Sequence, residues 1–414
     1  MAWGLVAIPG PICQHRGSVP PPSFDVDADA FLRDLSALRT ELGAGNGPEE
    51  FAHLRKLERW GRGCTLLGYA LAWLAPNPFA AVLMAQGSTA RWTLMMHHVG
   101  HRAYDRVPGV PLRYTARGFA AGWRRLVDWL DWILPEAWSY EHNIHHLHTG
   151  ERADPDLVEE NTRWLRHSRM PLLAKYAVVA FFACTWKLTY YAPNTFQVLK
   201  RGARRRAGGT EEQGEMRYAA AFSLLRPEGR EFWRRCVLPY AAVRFVVLPL
   251  LFAPLGSWAV LSVLVNSLLA EVLTNIQSFF LITPNHACDD VYRFEGPAQG
   301  RAEFQVRQVL GSVNYTCGSD LVDFLHGWLN YQIEHHLWPD LSLLQYQRAA
   351  PRVRELCLHH GLPYVQEPVH RRARQLVNII VGKASMKHDA APRNPIAAVS
   401  PAGARITRAT PPPR

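Results

Sequence analysis

Eleven of the chain's 18 histidines fall in four places: His97, His98 and His101; His142, His145, His146 and His148; His286; and His326, His335 and His336. On a helix His97 and His101 share a face, and His142 lies three and four residues before His145 and His146, so both groups can aim imidazoles at one point. At this histidine content an HxxHH run arises by chance about 0.03 times in a chain of this size, yet here it accompanies an HxxxH and a second HH pair. Imidazole suits zinc, copper, iron and nickel. A structural zinc takes four ligands, so seven or more histidines exceed the needs of one ion and imply two metals. Soluble di-iron bundles use Glu and Glu-x-x-His ligands, a carboxylate pattern these clusters lack. A nitrogen-rich set fits an oxidising two-iron centre better than a zinc hydrolase. His98, His148 and His326 read as supporting or structural residues.

The elements that must carry these groups follow from composition. The chain has 414 residues, 48% of them hydrophobic, and a formal net charge of +11. It is long enough for a large core, and its seven cysteines, at 13, 64, 184, 236, 288, 317 and 357, form no CxxC pair. Collagen-like, disulfide-scaffold and cysteine-zinc folds are thereby excluded. Residues 1–24 are rich in Pro and Gly, and residues 1–12 lack the basic stretch and strong apolar core of a secretion signal. Residues 25–62 read as amphipathic helix, with Phe31, Leu32, Leu35, Leu38 and Leu42 at helical spacing. Charge then stops, and apolar runs follow around 63–96, 171–193 (with Lys175 and Lys187), 236–254 (with Arg244) and 256–283 (with Glu271). A bilayer core needs about 20 helical residues, so these are candidate membrane segments. An ionisable group inside a span faces protein or a polar cavity; Glu271 and Arg244 therefore mark function, snorkelling or a misplaced boundary. The basic run Lys200, Arg201 and Arg204–Arg206 sits between apolar segments, as positive-inside loops do, and no nucleic-acid-binding pattern accompanies the charge. Residues 384–414, rich in Ala, Pro and Arg without periodicity, read as a disordered tail.

At these motifs the chain resembles the membrane fatty acid desaturases. The matching strings are HHVGH at 97–101, HNIHH at 142–146 followed by TG and DPDL within 149–157, and NYQIEHHLWP at 330–339. Gln in place of the first His of the last box is typical of the front-end and linoleoyl-CoA-like branch. The resemblance runs from about Trp60 to Ile380. It implies a two-iron centre, dioxygen as co-substrate, an acyl-lipid substrate (acyl-CoA, acyl carrier protein or phospholipid) and external electrons. Carried over by motif, it assigns His97, His101, His142, His145, His146, His335 and His336 as iron ligands, adds His286, and puts Gln332 in a ligand slot where it binds iron or holds a water. Asp105, Glu141, Asp154, Asp156 and Glu334 lie near the ligands in sequence and are candidates to orient imidazole N–H groups; Glu334, between Gln332 and His335, stands first among them, and Asp154 and Asp156 match the family pattern. The haem motif HPGG of a fused cytochrome b5 domain does not occur in this chain, so electrons are expected from a separate ferredoxin- or cytochrome b5-type donor.

The ligands must share one membrane face, so an even number of crossings separates any two boxes. Three apolar segments lie between His146 and His286. The segment 171–193, with its two lysines, is expected to lie at the interface. That leaves an all-α integral membrane protein with four transmembrane helices in two hairpins, at about 58–75 and 77–96, then 236–254 and 256–283. Residues 1–57 form an N-terminal cytosolic segment and residues 58–383 a membrane domain with a cytosolic helical cap. The site is expected to face the cytoplasm. Trp123, Trp129 and Trp132 are candidates for the acyl tunnel or for interface anchors. The expected reaction is O2-dependent desaturation, two hydrogens leaving adjacent methylenes. The alternative on the same scaffold is a lipid hydroxylase or ketolase.

Overall fold

The computed structural model describes residues 26–43, 47–208 and 218–389; the Pro- and Gly-rich start and residues 390–414 of the expected tail lie outside them, whereas residues 384–389 of that tail are ordered, with 387–389 held as a strand against 292–294. The described chain is mostly helical. Its strands are two short parallel pairs, Tyr292–Phe294 with Lys387–Asp389 and Asn314–Tyr315 with Gln366–Glu367.

Helix α1 (Ala28–Gly43) buries Phe31, Leu35, Leu38 and Leu42, the stripe its spacing predicts. Helix α2 (Pro48–Ala72) runs unbroken across residue 57, where the sequence reading ended one unit and began another. Its charged first half belongs to the cap: Lys56 pairs with Asp320, and Glu58 accepts from Arg113 at 2.8 Å. Only its second half is apolar. Helix α3 covers residues 78–100. It starts on Asn77, whose side chain accepts from the Ala80 amide at 2.7 Å, with Pro78 in the first turn. A π-helical stretch, Arg91–Met96, widens α3 just before His97. Small residues let α2 and α3 touch: a Cβ on Gly87 would stand 2.9 Å from the Gly61 carbonyl oxygen.

Helix α4 (Pro135–His148) carries the second histidine group. Among the described residues three helices are long and apolar enough to cross a membrane: α5 (Leu172–Arg206), α6 (Pro227–Leu255) and α7 (Ser257–Asn285). The α2–α3 pair, with its charged half, is not among them. Helix α5 departs from the short interfacial segment expected over 171–193, because the helix continues past the apolar run through an amphipathic, basic stretch to Arg206. Yet α5 touches the cap at both ends. Near its start, Lys175 Nζ donates to the Arg166 and Val381 carbonyls at 2.8 and 3.3 Å. Near its end, Gly202 packs so close to Tyr140 of α4 that a Cβ would strike the ring. Its middle meets α7, where the Lys187 amide donates to Asn275 Oδ1 at 2.7 Å.

The turns of the α2–α3 and α6–α7 hairpins meet. Trp258 Nε1 donates to the Leu74 carbonyl at 3.0 Å, and Asn266 accepts from the Asn77 amide and donates to the Ala72 and Ala75 carbonyls, each at 2.9 Å. The opposite ends of α3 and α7 lead into His97 and His286. There the cap closes over them with α8 (Arg301–Leu310), α9 (Gln332–Leu337), α10 (Leu343–His359) and α11 (Val369–Val381). Leu57, Leu94, Val99, Trp328, Ile333 and Tyr346 share one buried cluster, so cap and first hairpin form a single packed unit.

Candidate metal centre

Four chain segments bring their imidazoles together at the junction of helices and cap. Donor nitrogens of His97, His101, His142 and His335 lie within 4.8 Å of one another, and those of His145, His286 and His336 form a second such group. His146 stands between them. Its Nε2 is 3.2 Å from His142 Nε2 and 3.0 Å from His335 Nε2, and its ring centroid is 4.3 Å from that of His336. All eight predicted histidines are thus assembled, from positions up to 239 residues apart in sequence. Gln332 lies beside the second group, hydrogen-bonded to His286.

The hydrogen bonds around the rings decide which nitrogen carries the proton. His286 Nδ1 is 2.9 Å from the Gly311 carbonyl, which only accepts, so Nδ1 donates and Nε2 keeps its lone pair. His335 Nδ1 donates to the Tyr346 hydroxyl at 3.2 Å, whose own proton goes to the Trp338 carbonyl at 3.0 Å. His336 Nδ1 faces Gln308 Oε1 at 3.0 Å, and His145 Nδ1 faces Asp154 Oδ1 at 2.8 Å. Asp154 is itself held by the Gly150 and Asp156 amides, both at 2.9 Å. In each case the ring turns an unprotonated Nε2 toward the centre. His97 Nε2 stands 2.9 Å from His335 Nε2, and the unprotonated Nε2 atoms of His336 and His286 face each other at 3.2 Å. Two lone pairs at that distance repel unless a cation lies between them. Ligands at about 2.1 Å from one ion stand about 3 Å apart when adjacent, so the donor set fits metal ions.

Electrostatics agree. Burial, with repulsion from neighbouring rings, holds His142, His146, His335 and His336 well below the usual imidazole range, and His101 and His286 are pushed down to about 3. Neutral rings are the ligating form. Burial opposes a charged His145 too, but the Asp154 carboxylate outweighs it and raises this ring.

The carboxylates divide. Asp154 orients His145 as the sequence suggests. Asp156 lies against Glu141, pushed up to about 6 by burial, and lines the cavity beside the centre. Glu334 turns the other way: its carboxylate accepts from Asn314 Nδ2 at 2.8 Å and the Tyr364 hydroxyl at 2.9 Å. Residues 332, 335 and 336 share a face of α9, which leaves 334 on the other side. Asp105 accepts from the Ala116 amide in a loop. The orienting groups that sequence reasoning missed are Tyr346, Gln308 and Gly311.

A cleft is lined by His97, His142, His145, His286 and Gln332. Its walls are apolar, among them Leu165, Val179, Phe182, Phe279, Ile282 and Ile380, with Trp92, Trp138, Trp186 and Tyr191. Trp164, 56% exposed, lies at the mouth. The tryptophans proposed for this role from sequence lie elsewhere. Trp123 is 72% exposed, Trp129 donates to the Ile133 carbonyl, and Trp132 donates to Glu271 at 2.7 Å. Arg244 is buried and donates to the Tyr69 hydroxyl at 2.5 Å, which accounts for its place inside α6.

The fold and site define a helical bundle whose clustered imidazoles could hold metal ions beside an apolar cleft. Comparison with known proteins narrows this class. A fatty acid desaturase family model matches residues 71–368, and the chain belongs to that family; it is a fatty acyl desaturase, an oxidoreductase of lipid metabolism. It is similar to an NADPH-dependent stearoyl-CoA 9-desaturase of Mycobacterium tuberculosis, 24% identical over 360 residues, covering 82% of this chain and 76% of that one. A Delta(5) fatty acid desaturase A of Dictyostelium discoideum is 23% identical over 306 residues, covering 70% and 60%. A Delta(8)-fatty-acid desaturase 1 of Arabidopsis thaliana is 37% identical over 117 residues, covering 28% and 24%.

Proposed function

We propose that the chain desaturates a fatty acyl chain at a histidine-ligated di-iron centre, with dioxygen as oxidant and a separate ferredoxin- or cytochrome b5-type protein supplying two electrons. The observation that carries this is the convergence of buried imidazole nitrogens in two groups. His97, His101, His142 and His335 hold one ion and His145, His286 and His336 the other, with His146 at their junction and Gln332 beside the second. Bound iron supplies the oxidising power that no acid or base side chain has. Overall, two hydrogens from adjacent methylenes, O2, two electrons and two protons give an alkene and two waters.

The chain's own residues supply position. The aromatic and aliphatic walls of the cleft take the acyl chain out of water and lay its methylenes past His97, His142 and His286. Asp154, Gln308, Tyr346 and the Gly311 carbonyl fix the rings, so that little reorganisation is needed when the metals bind.

Four crossings fit this geometry. The two hairpin turns meet on the far side, and α5 lies with both ends against the cap, which supports an interfacial course despite its length. Lys200 and Arg201 and the Arg204–Arg206 run close α5 on the side of α4, where Arg206 lies 5.5 Å over Tyr140; by the positive-inside rule that side faces the cytoplasm. The membrane unit then extends from α2 through α11.

Expression in a host of defined lipid composition tests the reaction. Desaturation removes about two mass units from an acyl chain, and hydroxylation adds about sixteen. A product gaining oxygen, with no alkene, would favour the hydroxylase reading.

A further inference from the structure

Between Arg62 of α2 and Arg91 of α3 the chain carries no charged residue, so these two arginines bracket the apolar hairpin where α2 leaves the cap. Together with Arg113 they line a pocket beside the hairpin, and Leu66, Met95 and Val127 form its apolar side. Two buried carboxylates also face it. Glu58 takes Arg62 at 2.7 Å, Arg113 at 2.8 Å and Arg55, while Asp128 takes Arg113 at 3.2 Å and Arg124 at 2.8 Å. Both carboxylates are therefore already shared among four guanidiniums. Arg91 brings a further one. Its guanidinium lies 6.0 Å over the buried Trp129 ring, it makes no ion pair among the described residues, and its Nε is buried without a hydrogen-bond partner. Arginines thus outnumber carboxylates next to apolar walls, a costly arrangement unless an anion completes it. The pocket opens on an outer, apolar surface. Leu66 and Val127 are exposed, as are Leu112, Trp123 and Leu126 of the adjoining segment, and Arg124 lies 5.5 Å over the Trp123 ring, the pairing of an interfacial anchor.

We propose that this pocket binds an anionic phospholipid, with Arg62, Arg91 and Arg113 on its phosphate and its acyl chains running past Leu66, Met95 and Val127. Guanidinium holds phosphate through paired N–H donors, and basic pockets beside membrane helices at head-group level take acidic lipids. An inorganic anion would satisfy the arginines and leave the apolar side unused, whereas a lipid satisfies both. The site is separate from the metal centre, since none of the clustered histidines lines it. Bound there, the lipid ties α2, α3 and the 112–128 segment together and stabilises the folded protein by mass action.

The test uses the full-length protein purified in an uncharged detergent, titrated with dioleoylphosphatidylglycerol, dioleoylphosphatidylcholine or inorganic phosphate. It reads the melting temperature, and the lipid retained on the native protein by mass spectrometry. The acidic lipid should raise the melting temperature with single-site saturation and bind more tightly than the zwitterionic one, whose choline brings a positive charge to the arginines. Inorganic phosphate should compete only weakly. Arg91→Gln should weaken binding of the acidic lipid about tenfold, the loss of a charge-assisted hydrogen bond. Arg301→Gln, the same charge change at an exposed cap position outside the pocket, should leave that binding unchanged. Val127→Glu sets a carboxylate at the exposed rim and should weaken binding too; it decides the matter if Arg91→Gln does not accumulate. Wild-type affinity in either pocket variant, no acidic lipid retained by the wild type, or complete displacement by inorganic phosphate overturns the proposal. Binding is read without turnover, so each of these outcomes leaves the desaturase reading intact.

Discussion

At the residue scale the account turns on tautomers. Four imidazoles donate from Nδ1 to acceptors the fold supplies, so each Nε2 is free for metal. Asp154→Asn and Tyr346→Phe should each weaken iron retention about 10- to 100-fold, read as iron content after dialysis against a chelator. Glu334→Gln should leave iron content unchanged, because Glu334 bonds Asn314 and Tyr364 and touches no ligand ring; iron loss in that variant would show that it acts on the centre. The histidines themselves were legible because HxxxH and HxxHH put ligands within one helical turn. Tyr346, Gln308 and Gly311 were not, since each reaches its ring from another element, 11, 28 and 25 residues away. Glu334 was misread because adjacency in sequence is not adjacency on a helix. The lowered imidazoles also fix a pH dependence. A ring whose folded pKa is below its unfolded 6.5 binds fewer protons folded than unfolded, so stability is full above pH 6.5 and falls as pH drops through it. The iron-free protein should therefore lose thermal stability between pH 7 and pH 5, and a flat or rising melting temperature over that range would contradict burial of these rings.

At the scale of elements, the hairpins hold the site's floor. Asn266, fully buried in α7, makes three hydrogen bonds to the α2–α3 turn. Asn266→Leu should cost about 2 kcal/mol, near 0.6 for each of the three bonds. A thermal melt in detergent checks it, with iron content unchanged because the turn lies at the far end from the histidines. Apolar runs made α6 and α7 readable to within about ten residues, and the polar stripe of α7 faces inward as span residues must. The extent of α2 and α5 was less legible. Alternating charge in the first half of α2 reads as soluble helix, and it is one, yet nothing at residue 57 breaks it. The Arg-rich end of α5 looks like a loop, but it is helix packed on α4.

For the whole molecule, the prediction is sidedness. Cysteine placed at Ser257, in the far turn, should react with an impermeant maleimide in intact cells, and cysteine placed at Ser385, in the cap, only after lysis; the reverse pattern would invert the orientation. The clustered histidines come from cap and long helices alike: His97 and His286 at the ends of α3 and α7, His142 to His146 on α4, and His335 and His336 on α9. The central claim is that these four segments enclose two irons. Anomalous X-ray scattering at the iron edge, from crystals of the enzyme purified with its metal, measures this directly. Two peaks are predicted, one among His97, His101, His142 and His335, the other among His145, His286 and His336. A single peak, or iron bound away from these nitrogens, would contradict it.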